Sequence, residues 1–288
     1  MKQLLTIFLL ILNVTLNAYE YEVAVCAIFK NCKPYLREWI EFHRLIGVEH
    51  FYLYNNTSTD HPEDVLLTYV EQGIVTLIDW PNQREAEWKK VPDSRYAWVY
   101  TTQVAAYNHC KNLALGKAKW LAVIDTDEFI VPMHSESLIP FLRKHEHDAG
   151  LSIYWQVYGT SGVYDIPFNK LMIELLTLKA FPDDYINLTT KVIVKPEYLN
   201  YFANSPHWCY YLHQGRSYQC SNTEMRINHY INRTCKFLLE EKWKQKGDMD
   251  NTKSFQAKAQ AAINQWNEVE DLTMERFTAQ LRIRMGFE

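Results

Sequence analysis

The chain has 288 residues, of which 48% are hydrophobic and 22% are charged, and its formal net charge is −4. This length suffices for one large α/β domain with an ample core, and the composition excludes disorder as the main state. A slightly acidic chain lacks the basic surface that binds phosphate backbones, so we expect no nucleic-acid partner.

The first predicted element is an apolar segment at the N-terminus. Lys2 precedes the apolar run Leu4 to Leu16, which is short for a membrane span and is typical of a signal peptide. We therefore predict a signal peptide or signal-anchor at residues 1–20 and a single domain at residues 21–288, with a buried first strand as the alternative for the segment. The protein would then lie in the secretory pathway or cell envelope and could associate with a membrane through its N-terminus. A cytoplasmic location stays open.

Strands and helices alternate through the first half of the chain. The predicted strands are Glu22 to Phe29, His50 to Tyr54, Ile74 to Asp79 and Trp120 to Ile124. The predicted helices are Tyr35 to Ile46, Glu63 to Gln72 and Tyr96 to Gly116. Such alternation with short connections predicts an α/β fold with a Rossmann-like, mostly parallel sheet and helices on both faces.

The pattern changes after Pro132, where the predicted elements become shorter and more irregular. The predicted strands are Leu151 to Val157, Lys191 to Lys195 and Met225 to Tyr230. The predicted helices are Ser137 to His145, Lys236 to Gln245 and Thr252 to Gln265. The loop Gly159 to Gly162 is interpreted as part of the acceptor or donor side of a site. We expect a mixed C-terminal half.

Three acidic residues follow the apolar run Leu121 to Ile124, namely Asp125, Asp127 and Glu128. Carboxylates are rarely buried without compensation, and at the carboxyl end of a strand they reach the crevice where open α/β sheets bind ligands. Asp125 and Asp127 are two residues apart and would share one side of an extended chain. Two such carboxylates suit a hard divalent cation that binds a diphosphate. The alternative is an acidic turn in solvent.

Several motifs occur in one order along the chain. They are Ala27 to Asn31 with Tyr35 to His43, Gly47 to Asn56, Asp125 to Phe129, Tyr158 to Gly162, Lys191 to Pro196, and Asn228 to Tyr230 leading to Lys242, Trp243 and Gly247. As an ordered set they resemble glycosyltransferase family 92, a relative of the family 2 transferases with the GT-A fold. The resemblance covers residues 23–250.

The resemblance implies a metal-dependent, inverting transferase that moves a sugar from a UDP-sugar to a glycan or glycoconjugate. Galactose is the sugar that some animal members transfer. Asp125 to Asp127 matches the DXD-type position, with Asp127 as a direct ligand of Mn²⁺ or Mg²⁺. Asp125 would be a second ligand, or would meet the ribose or a water on the cation. The resemblance also implies His229 as a late ligand, with a buried core histidine as the alternative, and Gln103 as a donor contact.

Nucleotide binding is expected at the carboxyl edge of the sheet near the first two strands. Ala27 and Ile28 would offer backbone groups to the base. Asn55 and Asp60 would bond the base or the ribose. Lys30 or Arg37 would meet a phosphate, with a solvated turn residue as the alternative for Lys30. These residues, together with Gln103 and Asp125, form the predicted donor site.

An inverting displacement needs a general base that takes the proton of the acceptor hydroxyl. The candidates are Glu128, Asp165, Asp183, Asp184 and Glu224. Glu128 adjoins the acidic motif but would point away from Asp127 if the strand continued. Asp183 and Asp184 follow a proline and are typical of a solvated turn. The sequence does not distinguish among the five.

Two other functions are compatible with the same residues. A metal-dependent phosphoesterase or nucleotidyltransferase would use the same acidic pair. A catalytically inactive relative would bind carbohydrate through its aromatic residues, of which 19 Tyr and 9 Trp are present. Radiolabelled nucleotide in the product would indicate the first, and glycan binding without UDP release would indicate the second.

Overall fold

The computed structural model describes residues 19–81, 102–203, 205–242 and 252–287. Most of the predicted signal segment lies outside these ranges, as do the first turns of the helix predicted from Tyr96, the end of the one predicted to Gln245, Trp243 and Gly247. Within the ranges, each helix is too short or too polar to cross a bilayer.

The first half of the chain alternates strands and helices as predicted. The strands are β1 (Tyr21–Phe29), β2 (His50–Asn55), β3 (Val75–Asp79) and β4 (Ala118–Val123). The helices are α1 (Lys33–Leu45), α2 (Glu63–Glu71) and α3 (Val104–Ala114). The four strands are parallel and lie in the order β3-β2-β1-β4.

Strand β1 is buried on both faces, which explains its continuous apolar run. Val23, Val25 and Ala27 belong to one hydrophobic core, while Cys26 and Ile28 belong to a second core on the opposite face. Alternate side chains of a strand point to opposite faces, so helices must cover both sides of this sheet. Helices α1 and α2 pack into the first core and α3 into the second.

The second half adds shorter elements. The strands are β5 (Glu128–Pro132), β6 (Gly150–Val157), β7 (Leu178–Lys179), β8 (Thr190–Val194), β9 (Leu199–Tyr201), β10 (Tyr210–Tyr211), β11 (Ser217–Gln219), β12 (Met225–His229) and β13 (Val269–Glu270). The helices are α4 (Ile139–Lys144), α5 (Met172–Leu175), α6 (Thr252–Ala262) and α7 (Glu275–Met285), with short helical turns at Tyr185–Leu188 and Phe237–Glu241.

The main sheet continues from β4 in the order β8-β6-β12-β5, and β11 pairs with β6. Strand β8 is antiparallel to both β4 and β6, whereas β12 is parallel to β6 and antiparallel to β5. Two short pairs, β9 with β10 and β7 with β13, lie outside this sheet. The predicted α/β class, with a parallel first half and a mixed C-terminal half, is confirmed.

The strand that leads to the acidic motif begins two residues earlier and ends one residue earlier than predicted. Strand β4 ends at Val123, and Glu128 opens β5, so Ile130 lies in a different strand from Leu121. The backbone N–H of Asp125 donates to Glu128 Oε2 at 2.8 Å, and the N–H of Glu128 donates to the Asp125 carbonyl at 3.1 Å. These reciprocal bonds close a turn that breaks the apolar run.

Candidate functional site

The acidic turn Asp125 to Asp127 lies between β4 and β5, where the register of two other strands brings basic residues beside it. Val192 of β8 is opposite Val123, so Lys191 lies next to the end of β4. His229, the last residue of β12, is opposite Glu128. The backbone N–H of the next residue donates to the Asp127 carbonyl at 2.9 Å and fixes the end of β12 on the turn.

Three donors hold the carboxylate of Asp125. Gln103 Nε2 and the Tyr107 hydroxyl donate to Oδ1 at 2.8 and 3.0 Å, and Lys191 Nζ donates to Oδ2 at 2.6 Å. Oδ1 therefore uses both of its lone pairs, and Oδ2 keeps one for a further donor. The carboxylate is 29% exposed, so that donor can come from a bound molecule.

Asp127 and His229 face each other without a hydrogen bond. His229 Nε2 lies 3.6 Å from Asp127 Oδ1, and the Asp127 side chain is 22% exposed. Burial opposes ionisation, but the interaction with His229 and the charge of the Arg233 guanidinium hold the pKa of Asp127 well below its usual range. Asp127 is therefore a carboxylate at neutral pH.

Glu128 lies behind this pair and is fully buried. Its Oε2 accepts from the Asp125 backbone and lies 3.4 Å from Lys191 Nζ. Its Oε1 has no hydrogen-bond partner in the described part of the chain and is 4.0 Å from His229 Nδ1, which also has none. Burial raises the pKa of Glu128 to about 7, against the pull of the Lys191 ammonium. These contacts make Glu128 a support for the turn.

The residues present fit a divalent cation that takes part of its coordination from a ligand. A carboxylate oxygen and an imidazole nitrogen 3.6 Å apart are too distant for a hydrogen bond but suit two donors to one cation. No group of three His, Cys, Asp or Glu side chains within the described ranges is arranged as a metal site. Mg²⁺ is commonly held by one or two carboxylates together with substrate phosphates and water.

The backbone of Ala27 and Ile28 lies at the carboxyl end of β1, beyond the last residue that pairs with β4. The pairing of β1 with β4 ends at Cys26 and Val123, whereas β1 itself continues to Phe29. The half-buried Lys30 follows directly; its carbonyl accepts from Cys32 Sγ at 3.3 Å, while its ammonium has no hydrogen bond or ion pair with the described residues. The side chains of Ala27 and Ile28 are buried, so only their backbone groups could meet a donor, and the contact of these two residues and Lys30 with the base or a phosphate stays a prediction.

The side chains of Asn55 and Asp60 hold their own loop. Asn55 Oδ1 accepts from the Ser58 N–H at 3.0 Å, and Asp60 Oδ2 accepts from the Lys33 N–H at the start of α1 at 2.8 Å. Asp60 Oδ1 is buried and has no partner among the described residues. These two polar residues therefore order the loop after β2, and Gln103, the remaining predicted donor contact, supports Asp125.

Most of the predicted base candidates are engaged away from the turn. Asp165 forms an exposed ion pair at 2.6 Å, and Asp184 caps the following helical turn through its Oδ1 at 3.0 Å. Glu224 accepts from a nearby serine and tyrosine, and Asp183 is exposed. Only Glu128 among the five is beside Asp127, and it is sealed from solvent.

The structure adds five residues that the sequence reasoning missed. They are Tyr107, Trp155, Lys191, His207 and Arg233. The Trp155 ring packs edge-on against His229, with centroids 4.2 Å apart, and against His207 at 5.3 Å. The sequence carried no clear signal for these five residues, since Lys191 is the first residue of its predicted strand, where a charge is commonly solvated.

Arg233 is buried beneath the acidic turn. Its guanidinium donates to Thr126 Oγ1 at 3.3 Å and contacts Cys32 Sγ at 3.5 Å. The rings of Tyr35 and Phe237 lie on it, with centroids 4.5 Å from Cζ. This arrangement places a fixed positive charge next to the middle residue of the motif.

Several curated proteins with similar sequences are named as glycosyltransferase family 92 proteins, and others as galactosyltransferases. A glycosyltransferase family 92 protein of Ricinus communis is 27% identical over 216 residues, which is 73% of this chain and 35% of the relative. Galactan β-1,4-galactosyltransferase GALS2 of Arabidopsis thaliana is 28% identical over 74% of this chain and 40% of its own length. β-1,4-Galactosyltransferase galt-1 of Caenorhabditis elegans is 29% identical over 42% of this chain and 28% of its own length. The chain spans about a third of the length of the first curated relatives it matches.

Similar solved structures include S. aureus TarS 1-349, which is 11% identical with a TM-score of 0.39 over 92% of this chain and 70% of that one. Another is glucosyl-3-phosphoglycerate synthase from Mycobacterium tuberculosis in complex with Mn²⁺, uridine diphosphate and glucosyl-3-phosphoglycerate. It is 16% identical with a TM-score of 0.32 over 62% of this chain and 58% of that one. No conclusion about the chemistry of this chain follows from likenesses at this level.

The sequence profile of glycosyltransferase family 92 matches residues 19–268. The match includes every strand of the main sheet, the acidic turn and the residues that surround it. Since it covers well over half of the chain, this protein belongs to glycosyltransferase family 92.

Proposed function

We propose that this chain is a metal-dependent, inverting glycosyltransferase that moves a sugar from a UDP-sugar to a glycan or another hydroxyl acceptor. The observation that carries the proposal is the pair Asp127 and His229, whose donor atoms lie 3.6 Å apart at the carboxyl edge of the sheet. Asp125 lies in the same turn with its carboxylate held by three donors. Family membership gives this geometry a reaction class.

Galactose is the sugar that we propose first. Two relatives are named as β-1,4-galactosyltransferases, one from Arabidopsis thaliana and one from Caenorhabditis elegans. Those names describe proteins of which this chain covers 40% and 28%. A location in the secretory pathway or cell envelope is likewise a proposal, which rests on the apolar run Leu4 to Leu16.

We assign the binding roles from the side-chain atoms in and beside the turn that keep a lone pair for a ligand. Asp127 and His229 would hold Mn²⁺ or Mg²⁺, and diphosphate oxygens and water would complete its coordination. When bound, the cation stabilises the negative charge of the departing diphosphate as a Lewis acid. Asp125 Oδ2 would accept from a ribose hydroxyl through its remaining lone pair. Lys191, which donates to the same oxygen, holds that carboxylate in place.

The donor would lie along β1. The backbone edge of Ala27 and Ile28 would meet the base, and Lys30 would meet a phosphate. An acceptor oxygen that attacks the anomeric carbon opposite the diphosphate inverts that carbon in one displacement. This displacement needs a base on the acceptor side of the crevice.

Replacement of Asp127 by Asn tests the proposal most directly, because it keeps the size of the side chain and removes its charge. Residues that merely support metal ligands are worth about 10–100-fold in affinity or activity, so we expect at least such a loss of Mn²⁺ affinity and of UDP release. Titration calorimetry with Mn²⁺ and a screen of UDP-sugars for UDP release measure the two effects.

Asp64→Asn is the matched control, since this exposed carboxylate pairs with Lys33 far along the chain from the turn. Unchanged turnover in Asp127→Asn with an unchanged Mn²⁺ affinity would contradict the metal role. Labelled nucleotide in the product would indicate a nucleotidyltransferase or phosphoesterase instead. Glycan binding without UDP release from any donor would indicate an inactive carbohydrate-binding relative.

A further inference from the structure

His207 lies in the loop between β9 and β10 and has a fixed tautomer. Its Nδ1 is 3.1 Å from the carbonyl oxygen of Thr190. Because a carbonyl only accepts, the neutral imidazole carries its hydrogen on Nδ1 and a lone pair on Nε2. Nε2 has no hydrogen-bond partner among the described residues, and it is not one of the buried unpartnered atoms. The lone pair is therefore accessible.

This imidazole lies next to residues that contact the acidic turn. Thr190, which orients it, directly precedes Lys191, whose ammonium bonds Asp125. Its ring packs edge-on against Trp155, with centroids 5.3 Å apart, and the same indole packs against His229 at 4.2 Å. The same indole thus contacts both His207 and His229, which places His207 near the cation pair without making it a member of that pair.

The surroundings keep the imidazole neutral. Burial first, and then the positive charge of Lys191, lower the pKa of His207 to about 4. Asp125 and the Thr190 carbonyl act in the opposite direction, and His229 acts with Lys191. At neutral pH the imidazole is therefore unprotonated and can accept a proton. Its pKa lies in the usual range of carboxylates.

We propose that His207 is the general base of the transfer and takes the proton of the acceptor hydroxyl at Nε2. The assignment rests on the proposed function and names the residue that its chemistry lacks. As the O–H bond breaks, the acceptor oxygen forms a bond to the anomeric carbon. The bond from that carbon to the diphosphate oxygen breaks, and its electron pair leaves with UDP. The imidazolium then returns its proton to solvent.

The carboxylate candidates support this assignment by their own contacts. Asp165 and Glu224 are engaged on the surface, and Asp184 caps a helical turn. Glu128 lies behind the turn, fully buried, with one oxygen on the Asp125 backbone. His207 combines an oriented ring, an accessible lone pair and a position next to Trp155, which also contacts His229.

Two variants and one exposed control test the proposal. Positioned bases contribute about 10²–10⁴-fold, so we expect His207→Gln and His207→Ala to lower the rate of sugar transfer by that factor. Affinities for UDP and Mn²⁺, measured by calorimetry, are expected to stay unchanged. His147→Gln is the control, because His147 is exposed and lies in the turn after α4.

Added imidazole separates a chemical role from a structural one. We expect imidazole to restore part of the transfer rate in His207→Ala and to leave wild type and His147→Gln unaffected. A transfer rate in His207→Gln within threefold of wild type overturns the proposal. Loss of transfer with a parallel loss of UDP affinity, and without rescue, also overturns it. If wild type transfers no sugar from any UDP-sugar, the proposed function and this assignment fail together.

Discussion

Lys191 lies fully buried at the start of β8, with its ammonium 2.6 Å from Asp125 Oδ2 and 3.4 Å from Glu128 Oε2. One cation thus compensates two carboxylates in a part of the molecule that water reaches poorly. Removal of one partner from a buried ionic group leaves the other charge uncompensated, which costs about 3–5 kcal/mol. The acidic turn therefore depends on a residue from a distant strand.

We expect Lys191→Met to lower the free energy of unfolding by about 3–5 kcal/mol, because methionine fills the volume of the lysine stem without its charge. Urea denaturation followed by fluorescence measures the change. Lys33→Met is the control, since its ion pair with Asp64 is at the surface and contributes little. If Lys191→Met lowered the free energy of unfolding by the same amount in a Glu128→Gln background, the result would argue against the pairing of Lys191 with Glu128. In that background one of the two carboxylates is already neutral, so the loss should be smaller.

Residues such as Lys191 and His207 could not be assigned from the sequence. The segment Lys191 to Lys195 has charges at both ends, a pattern typical of a strand whose ends are solvated, yet both lysines are buried. His207 gains its role only when the loop after β9 meets Trp155. By contrast, the Asp125 to Asp127 turn was predictable, because acids at the end of an apolar strand need a local explanation.

The loop Gly159 to Gly162 shows how an element can serve packing where the sequence suggested a ligand. The Gly159 N–H donates to the carbonyls of Leu178 and Trp266, both at 3.0 Å. Thr160 Oγ1 donates to the Ile263 carbonyl at 2.8 Å. These bonds join the end of β6 to the segment after α6. The prediction of a donor or acceptor loop stays untested, but its polar groups already bind protein.

We expect Gly159→Ala to destabilise the protein by about 3 kcal/mol or more, because its Cβ would lie 2.2 Å from Asn267 Oδ1 and 2.5 Å from the Gln265 carbonyl. Gly162→Ala is the matched control in the same loop. Gly162 has open space but a φ of +70°, so we expect about 1–2 kcal/mol from backbone strain alone. Thermal denaturation of both variants measures the difference, and equal losses would contradict the packing role.

The alternating first half was predictable, because long segments with a regular apolar pattern, such as α1 and β1, can be assigned from the sequence alone. The second half was less so, since its strands are short and their order depends on contacts between distant segments. Strand β8 enters the sheet antiparallel between β4 and β6, which no local pattern specifies. Helix α7 was missed because it buries only Phe277 and Leu281 against the core.

At the scale of the whole molecule, a buried histidine joins the helical layer to the sheet. His43 of α1 is fully buried, its Nδ1 is 2.8 Å from the Trp39 carbonyl, and its Nε2 accepts from the Ile130 N–H of β5 at 3.2 Å. A carbonyl on one side and an N–H on the other fit only the neutral ring. Burial accordingly lowers the pKa of His43 to about 3. Protonation of this ring would oppose the contact between α1 and β5.

The pH dependence of stability follows from this neutral ring. Between its folded pKa of about 3 and its unfolded value of 6.5, His43 binds a proton only in the unfolded state, so its contribution to stability rises with pH. Glu38, whose pKa burial raises to about 7, acts in the opposite direction between 4.5 and 7. Glu128, whose pKa is also raised to about 7, acts with Glu38, and His207, whose pKa is lowered to about 4, acts with His43. Because these effects overlap in wild type, the contribution of His43 is visible only as a difference between variants.

We expect the slope of unfolding free energy against pH to be about 1.4 kcal/mol per pH unit more positive in wild type than in His43→Gln on the acid side of pH 6.5. Urea denaturation of both proteins from pH 4.5 to pH 8 gives the two slopes, and the variant is expected to be less stable than wild type at neutral pH, where the neutral ring makes both hydrogen bonds. The exposed His147→Gln supplies the baseline. Parallel curves for His43→Gln and wild type would mean that the ring titrates alike in the folded and unfolded chains. The contact between α1 and β5 would then not require a neutral histidine, and acid sensitivity of the fold would have to come from the carboxylates.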